Sequence, residues 1–362
     1  MEKLHGGFGR MDLSFYKGKR IFITGHTGFK GTWLTKILIL AGAEVTGYSL
    51  DLSEDQILFH ASKVETDLHN ILGDVRDLNS LRKAVKEAQP EIIIHMAAQP
   101  LVRVSYEQPV ETYEINVMGT VNILESIREV SSTRSFLNVT TDKVYENNER
   151  LDGYKEHEKL CGYDPYSNSK SCSELVTYSY KNSFFKGNDV SAISTARSGN
   201  VIGGGDFSKD RIIPDCIRSS IQHQNIVVRN PFSTRPYQHV LDCLYGYLTL
   251  TKMQYEDKTI EGNYNFGPED KDYVTTGELT DIFCEAWGEG QSWVNSGGTG
   301  PHEAGILKLD NQKSKKMLYW QPRMDIETAV RKTIEWAKVY YDDGEIEKCM
   351  VHQIKDYFDY SK

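Results

Sequence analysis

The chain has 362 residues, of which 39% are hydrophobic and 26% charged; it is long enough to bury a core without covalent staples and longer than one average domain. Its formal net charge of −9 argues against a sequence-independent grip on nucleic acid or on an anionic membrane surface. Six scattered cysteines form no CxxC pair, so neither a disulfide framework nor a metal site is expected, and the longest apolar stretch, Leu34 to Ala43, contains Lys36 and is too short to span a bilayer.

Residues 1–17 carry no apolar signal core and read as a flexible leader, which leaves a soluble cytoplasmic protein as the expectation. Strand and helix signals then alternate. The run from Arg20 to Thr24 leads into glycines and a helical pattern from Trp33 to Ala41, followed by a second strand signal from Glu44 to Ser49. An acidic turn, Gly73 to Asp77, precedes a helix from Leu78 to Glu87. A strand signal from Glu91 to Met96 comes next, then a helical segment around Tyr113 to Val130, and then a strand from Ser135 to Thr140. Strands alternating with helices of this length imply βαβ units and a parallel sheet, hence an α/β fold. After a further core strand, Ser191 to Arg197, glycine and proline become frequent and strand signals shorten, as at Ile226 to Arg229 and Asn263 to Phe266. The expected division is a cofactor domain over 18–197 and a smaller mixed domain over 198–362, with segments near 237–267 returning to the first.

Three motifs carry chemistry. Gly25, Gly28 and Gly31 form a GxxGxxG loop between strand and helix: one glycine for the tight turn, one for close approach of a pyrophosphate, and one for helix–sheet packing. Thr27, Phe29 and Lys30 belong to the same loop, and the free N–H groups of the helix start favour an anion. Asp51 ends the second strand, where a carboxylate bonds the ribose hydroxyls of NAD, and no arginine stands beside it to take a 2′-phosphate. Tyr166 and Lys170 form a YxxxK pair behind Asp164 and Pro165, a helix-start signature. Four residues apart they share a helical face, and a nearby ammonium favours the phenolate that accepts a proton. Thr141, Asp142 and Lys143 stand at the carboxyl end of a predicted strand, where ligand crevices of open α/β sheets lie. Alone, that third cluster reads more readily as a solvated turn with a salt bridge. Arg211, Arg229 and Arg235 are cations suited to a diphosphate.

The stretches TGHTGFKG, MAAQ (Met96 to Gln99), YSNSK (Tyr166 to Lys170) and RSGNVIGGGD (Arg197 to Asp206) resemble the extended short-chain dehydrogenase/reductase superfamily over nearly the whole chain after the leader. Thr-Asp-Lys at Thr141 to Lys143, together with GHTGFKG, AAQPLVRVSYEQP and RNPFSTRPYQHV, resembles the CDP-glucose 4,6-dehydratases within it. The resemblance implies a Rossmann-type, doubly wound parallel sheet with a smaller mixed α/β substrate domain. It also implies NAD as cofactor, a nucleotide sugar as substrate, a homodimer, and a role in making dideoxyhexoses for a lipopolysaccharide O-antigen. By the same resemblance Asp74, Val75, Ala97, Ala98, Gln99 and Asn116 face the cofactor, and Arg103, Asn200, Arg211, Arg235 and His302 face the substrate. Tyr166 would take the proton of the C4 hydroxyl while Thr141 bonds it, Lys143 the C5 proton, and Asp142 would protonate the departing C6 hydroxyl. That division requires a charge-suppressing environment for Asp142 and Lys143 alike. Dehydration of a dTDP- or GDP-hexose, 4-epimerisation, and a catalytically silent NAD-binding regulator remain as alternatives. Asp142 and Lys143 favour elimination, because epimerisation has little use for them.

Overall fold

The computed structural model describes residues 12–51, 56–187, 190–297 and 305–358. Seven parallel strands form the central sheet: β1 (Arg20–Thr24), β2 (Glu44–Ser49), β3 (His69–Leu72), β4 (Ile92–His95), β5 (Ser135–Val139), β6 (Ala192–Ser198) and β7 (Asn263–Phe266). Their spatial order is β7-β6-β5-β4-β1-β2-β3. β4, β5 and β6 are buried along their whole length, the mark of a parallel sheet covered on both faces. Alternation along each strand feeds two cores. Ile21, Ile23, Ile92, Ile94 and Leu137 point to the face covered by the helices Phe29–Leu40 and Val240–Glu256. Phe22, Ile93 and Phe136 point to the face covered by Leu78–Ala88 and Gly119–Ile127.

The strand order reverses at β1, which lies between β2 and β4, so connections leave the sheet in opposite directions there and open a crevice at the carboxyl ends. The helical run read from Tyr113 to Val130 is interrupted: Pro109–Tyr113 passes through a π-turn, Glu114–Met118, before Gly119–Ile127 begins. Such turns gather at functional sites.

A third apolar cluster gathers Ile213, Ile217, Leu279, Phe283, Trp287, Val330 and Ile334 from helices beyond the sheet. Helix Ile326–Tyr341 joins it to the sheet core, contributing Val330 and Ile334 to one and Trp336 to the other. The sequence division needs two corrections. Residues 12–17 are not a free leader: Leu13–Tyr16 form a 3-10 turn that buries Leu13 and Tyr16, and the Tyr16 hydroxyl donates to Leu248 O at 2.6 Å. Residues 1–11 lie outside the described residues. Helix Ile346–Phe358, read as part of the second domain, packs Met350, Ile354 and Phe358 into the sheet core.

That last helix is tied down by a buried carboxylate. Asp242 accepts the Tyr357 hydroxyl at 2.5 Å and the Arg323 amide at 2.7 Å, and burial pushes its pKa up to about 6 despite these bonds. The folded protein therefore holds this proton more tightly than the unfolded chain, and the cost of charging Asp242 is absent near pH 4 and complete above about pH 6. Tyr357→Phe removes a bond to the charged form and is expected to destabilise by about 2 kcal/mol at neutral pH. Denaturant titrations should find a smaller loss at pH 5 than at pH 7.

Candidate active site

The ends of β1 and β4 are stitched together before any side chain reaches the crevice. Thr24 Oγ1 accepts the amides of Met96 and Ala97 at 3.1 and 3.2 Å. Gly25 then turns at φ +75°, so close to its neighbour that a Cβ there would meet Ala97 N at 2.7 Å. Gly31 is equally constrained, because a Cβ would lie 2.1 Å from Gly25 O. At Gly28 a Cβ would meet only Gly25 O at 3.5 Å, so this position faces open space at the start of helix Phe29–Leu40. Gly25 and Gly31 are thus required by the protein itself, whereas at Gly28 the backbone lies open at a helix start, a surrounding suited to an anion.

His26, inside the loop, is structural. Its ring pairs with Ser49 Oγ and Asn70 Oδ1, both at 3.0 Å, and burial lowers its pKa to about 4. Asp51 follows β2 and is exposed beside the loop, and Asp74 follows β3, paired with Arg76 at 2.6 Å. Val75 lies in the core beneath, and its carbonyl accepts Asn122 Nδ2 at 2.8 Å. Ala97 and Ala98, partly buried, follow β4.

Gln99 and Asn116, read as cofactor contacts, spend their side chains inside the protein. Gln99 Oε1 accepts Leu101 N at 2.6 Å and its amide reaches Thr112. Asn116 accepts Gln99 N at 2.9 Å and donates to Gln99 O and Ser169 Oγ. They form the wall that binds this strand end to the helix that carries Tyr166 and Lys170, Pro165–Phe184, which opens as expected with Asp164 capping Ser167 N at 2.9 Å.

That helix presents Tyr166 and Lys170 to the crevice. Lys170 Nζ donates to Val139 O at 3.2 Å, and burial, with Lys30 repelling it, lowers its pKa to about 7. Burial pushes Tyr166 up to about 12, while the Thr141 hydroxyl and Arg211 pull the other way. Lys30 is no surface lysine: it donates to Tyr247 OH at 3.3 Å, and that hydroxyl meets Ser198 Oγ at 2.7 Å. Thr141 caps the 3-10 turn Asp142–Val144 and donates to Asp142 Oδ1 at 2.9 Å. Asp142 is fully buried, and its Oδ2 has no hydrogen-bond partner among the described residues. A buried oxygen left open in this way awaits a donor. Lys143 Nζ stands 3.5 Å from Asp142 Oδ1 with 30% of its side chain exposed, so of the adjacent pair only the acid is enclosed.

Arg235 is 7% exposed and donates to the carbonyls of Thr234 and Gly305; among the described residues it meets no carboxylate. A buried cation with that surrounding is suited to an anion. Arg211 is paired with Asp206 at 2.9 Å, while Arg103 and Arg229 share Asp210 at 3.3 and 2.7 Å. Asn200 accepts Gln238 N at 3.0 Å through its carbonyl, and His302 lies outside the described residues. His239 caps a helix, with Nδ1 accepting Leu241 N at 3.2 Å, and burial lowers its pKa to about 3. Sequence reasoning passed over Glu174 and Tyr145. Glu174 was visible as the next residue on the Tyr166–Lys170 face; Tyr145 gave no signal.

Fold and site together define a Rossmann-type enzyme of the nucleotide-sugar epimerase and dehydratase class. Residues 22–333 match the family described as GDP-mannose 4,6 dehydratase, and the chain belongs to it. The chain is 44% identical over 353 residues to the CDP-glucose 4,6-dehydratase of Salmonella typhimurium, covering 96% of this chain and 98% of that one. It is 25% identical to the human dTDP-D-glucose 4,6-dehydratase, covering 88% and 90%. Among solved structures, the UDP-glucuronic acid 4-epimerase of Bacillus cereus, in complex with UDP-glucuronic acid and NAD, shares the fold. Its TM-score is 0.78 at 19% identity, covering 89% of this chain and 99% of that one. The dTDP-glucose 4,6-dehydratase of Bacillus anthracis in complex with NAD gives 0.74 at 18%, covering 91% and 99%.

Gly28→Ala is expected to leave thermal unfolding unchanged while weakening dinucleotide affinity at least tenfold, since close backbone approach is lost. Gly31→Ala should lower both, because its Cβ collides with protein backbone. Differential scanning calorimetry and dinucleotide titration of the two variants separate these effects.

Proposed function

We propose that the chain dehydrates CDP-D-glucose to CDP-4-keto-6-deoxy-D-glucose with NAD as a resident cofactor. The observation that carries this reading is Asp142: a buried carboxylate with one oxygen unpartnered, one residue from Lys143 and grouped with Thr141 and Tyr166. Exchange of a proton and hydride at C4 alone needs no second acid. Loss of water does. The 44% identity to a CDP-glucose 4,6-dehydratase supports the cytidine base.

The residues present fit NAD: Gly25, Thr27, Gly28, Phe29 and Gly31 with the first turn of the following helix for the pyrophosphate, Asp51 for a ribose, Asp74, Val75, Ala97 and Ala98 along the strand ends, and Lys30, Tyr166 and Lys170 toward the reacting end. When bound, NAD supplies the two-electron acceptor and donor. Thr141 bonds the C4 hydroxyl and Tyr166 accepts its proton, with the Lys170 ammonium and Arg211 favouring the phenolate. The C4 ketone acidifies C5–H, Lys143 takes that proton, and Asp142 delivers one to the C6 hydroxyl, which leaves as water. Oxidation at C4 and reduction at C6 cancel, so the product differs from the substrate by one water. Arg235 and Arg211, with Asn200, Arg103 and His302, hold the nucleotide diphosphate.

A homodimer is part of this reading. Val110, Met118, Leu175 and Tyr178 are exposed apolar side chains on helical segments that pack against each other. A cytoplasmic location accords with six free cysteines and with the lack, among the described residues, of a helix long and apolar enough to cross a membrane. The product suits a pathway to dideoxyhexoses of a surface polysaccharide. Leu175→Glu is expected to reduce the mass in light scattering from dimer to monomer; an unchanged mass removes this face from the interface.

Mass spectrometry of protein incubated separately with CDP-, dTDP-, GDP- and UDP-hexoses tests the reaction. The expected result is loss of one water from CDP-glucose alone, without net NADH, and with one deuteron at C5 when run in heavy water. An isomer of unchanged mass points instead to 4-epimerisation. Lys143→Ala should lower dehydration roughly 100-fold or more, in the usual range for loss of a proton-transfer group. Full dehydration by that variant removes Lys143 from the mechanism.

A further inference from the structure

Tyr166, Lys170 and Glu174 recur at intervals of four on one helix and share a face. The first two point into the crevice; the third is closed inside the protein, with 1% of its side chain exposed. Four donors converge on its carboxylate. Thr140 Oγ1 and Arg197 Nε reach Oε1 at 2.6 and 2.8 Å, and Thr195 Oγ1 and Arg197 Nη2 reach Oε2 at 2.8 and 2.9 Å. Arg197, wholly buried, has one amino group left, and it donates to Tyr145 OH at 2.7 Å and Glu156 O at 3.0 Å. The Tyr145 hydroxyl in turn donates to Asn265 Oδ1 at 2.7 Å on β7.

Thr140 and Tyr145 are the residues on either side of Thr141–Asp142–Lys143–Val144. One ion pair therefore grips both ends of the turn that carries Asp142 and Lys143, and ties it to the helix that carries Tyr166 and Lys170. A buried ion pair is a poor means of stabilising a fold, because an apolar pair of equal volume serves as well or better. What it supplies that an apolar pair lacks is direction at each of its bonds.

We propose that Glu174 and Arg197 are positioning residues for the reaction, a clamp that sets the separation and orientation of the Thr141–Asp142–Lys143 turn relative to the Tyr166–Lys170 pair. The proposal rests on the dehydratase reading and adds to it residues that touch neither substrate nor cofactor. The clamp also has an electrostatic consequence. Burial and Lys30 bear against the Lys170 ammonium and Glu174 supports it, while His95 on β4, which burial and Lys170 lower to about 3, stays neutral beside it. The groups facing Tyr166, namely Thr141, Arg211, Asp142, Asp164 and Tyr247, are not themselves substituted when Glu174 is neutralised. Loss of its charge makes Lys170 easier to deprotonate, so the alkaline limb of the kcat profile moves to lower pH.

The test uses the full chain with NAD. Glu174→Gln combined with Arg197→Gln removes both charges and leaves no lone buried ion; Tyr145→Phe cuts one arm while keeping the ring; Glu174→Asp keeps the charge. In the double variant, compared at equal folded fraction by circular dichroism, kcat is expected to fall roughly 100-fold at near-constant KM, the scale of a misplacement of about 1 Å. Its alkaline limb should shift to lower pH. Tyr145→Phe should lower kcat without moving the limb, and Glu174→Asp should restore the limb with only part of the rate. A folded double variant with the wild-type kcat and limb overturns the proposal, as does a rate loss matched by the unfolded fraction. If the wild-type protein converts no nucleotide hexose, the functional reading fails by itself. The clamp is then judged by hydrogen–deuterium exchange over residues 140–146: faster exchange in the double variant at unchanged global stability sustains it, and unchanged exchange overturns it.

Discussion

Backbone lies directly on backbone where β1 ends, and the site depends on that contact. Gly25 has no room for a Cβ against Ala97, and Gly31 has none against Gly25. The loop is thereby pressed onto the end of β4, and helix Phe29–Leu40 starts where its free N–H groups face the crevice rather than the sheet. Thr24 completes the join by accepting two amides from the β4 exit. With β1 between β2 and β4, the residues after each strand surround one opening: Asp51, Asp74, Ala97, Thr140 and Asn200.

Charge within that opening is unevenly distributed. Lys30, Lys170 and Arg211 act on one another or on Tyr166, and Asp142 is the carboxylate that acts on both Lys30 and Tyr166. Such a surrounding favours a bound polyanion and a phenolate, while desolvation opposes every charge in it. The protein settles this by keeping the Tyr166 proton and weakening the hold of Lys170 on its own. The carboxylate side is treated differently: Glu174 would be raised by burial alone, but Arg197, Thr140 and Thr195 hold it below the ordinary carboxylate range. One buried acid is fully bonded and the other, Asp142, is left with an open oxygen.

Parts of the chain whose conformation is local were legible in advance. The glycine loop is set by positive φ and missing side chains, and helix Pro165–Phe184 by its cap at Asp164, Pro165 and a four-residue spacing. Contacts between distant segments were not. Tyr16 reads as part of a flexible leader until Leu248, 232 residues on, accepts its hydroxyl. Gln99 and Asn116 have the polarity of ligand contacts, and only their mutual bonding reveals a wall.

The sequence by itself determined the class of fold, through strand and helix signals that alternate along the chain, and it marked the glycine loop and the Tyr166–Lys170 and Asp142–Lys143 pairs, because each of those motifs is written in residues close together in the chain. The tertiary structure decided which polar groups are used up and which are left open. It turned Lys30 inward to Tyr247, 217 residues away, left Arg235 without a carboxylate among the described residues, and closed Glu174 and Arg197 around both ends of the Asp142 turn. Burial and hydrogen-bond satisfaction are properties of a neighbourhood in space, and no spacing along the chain encodes them.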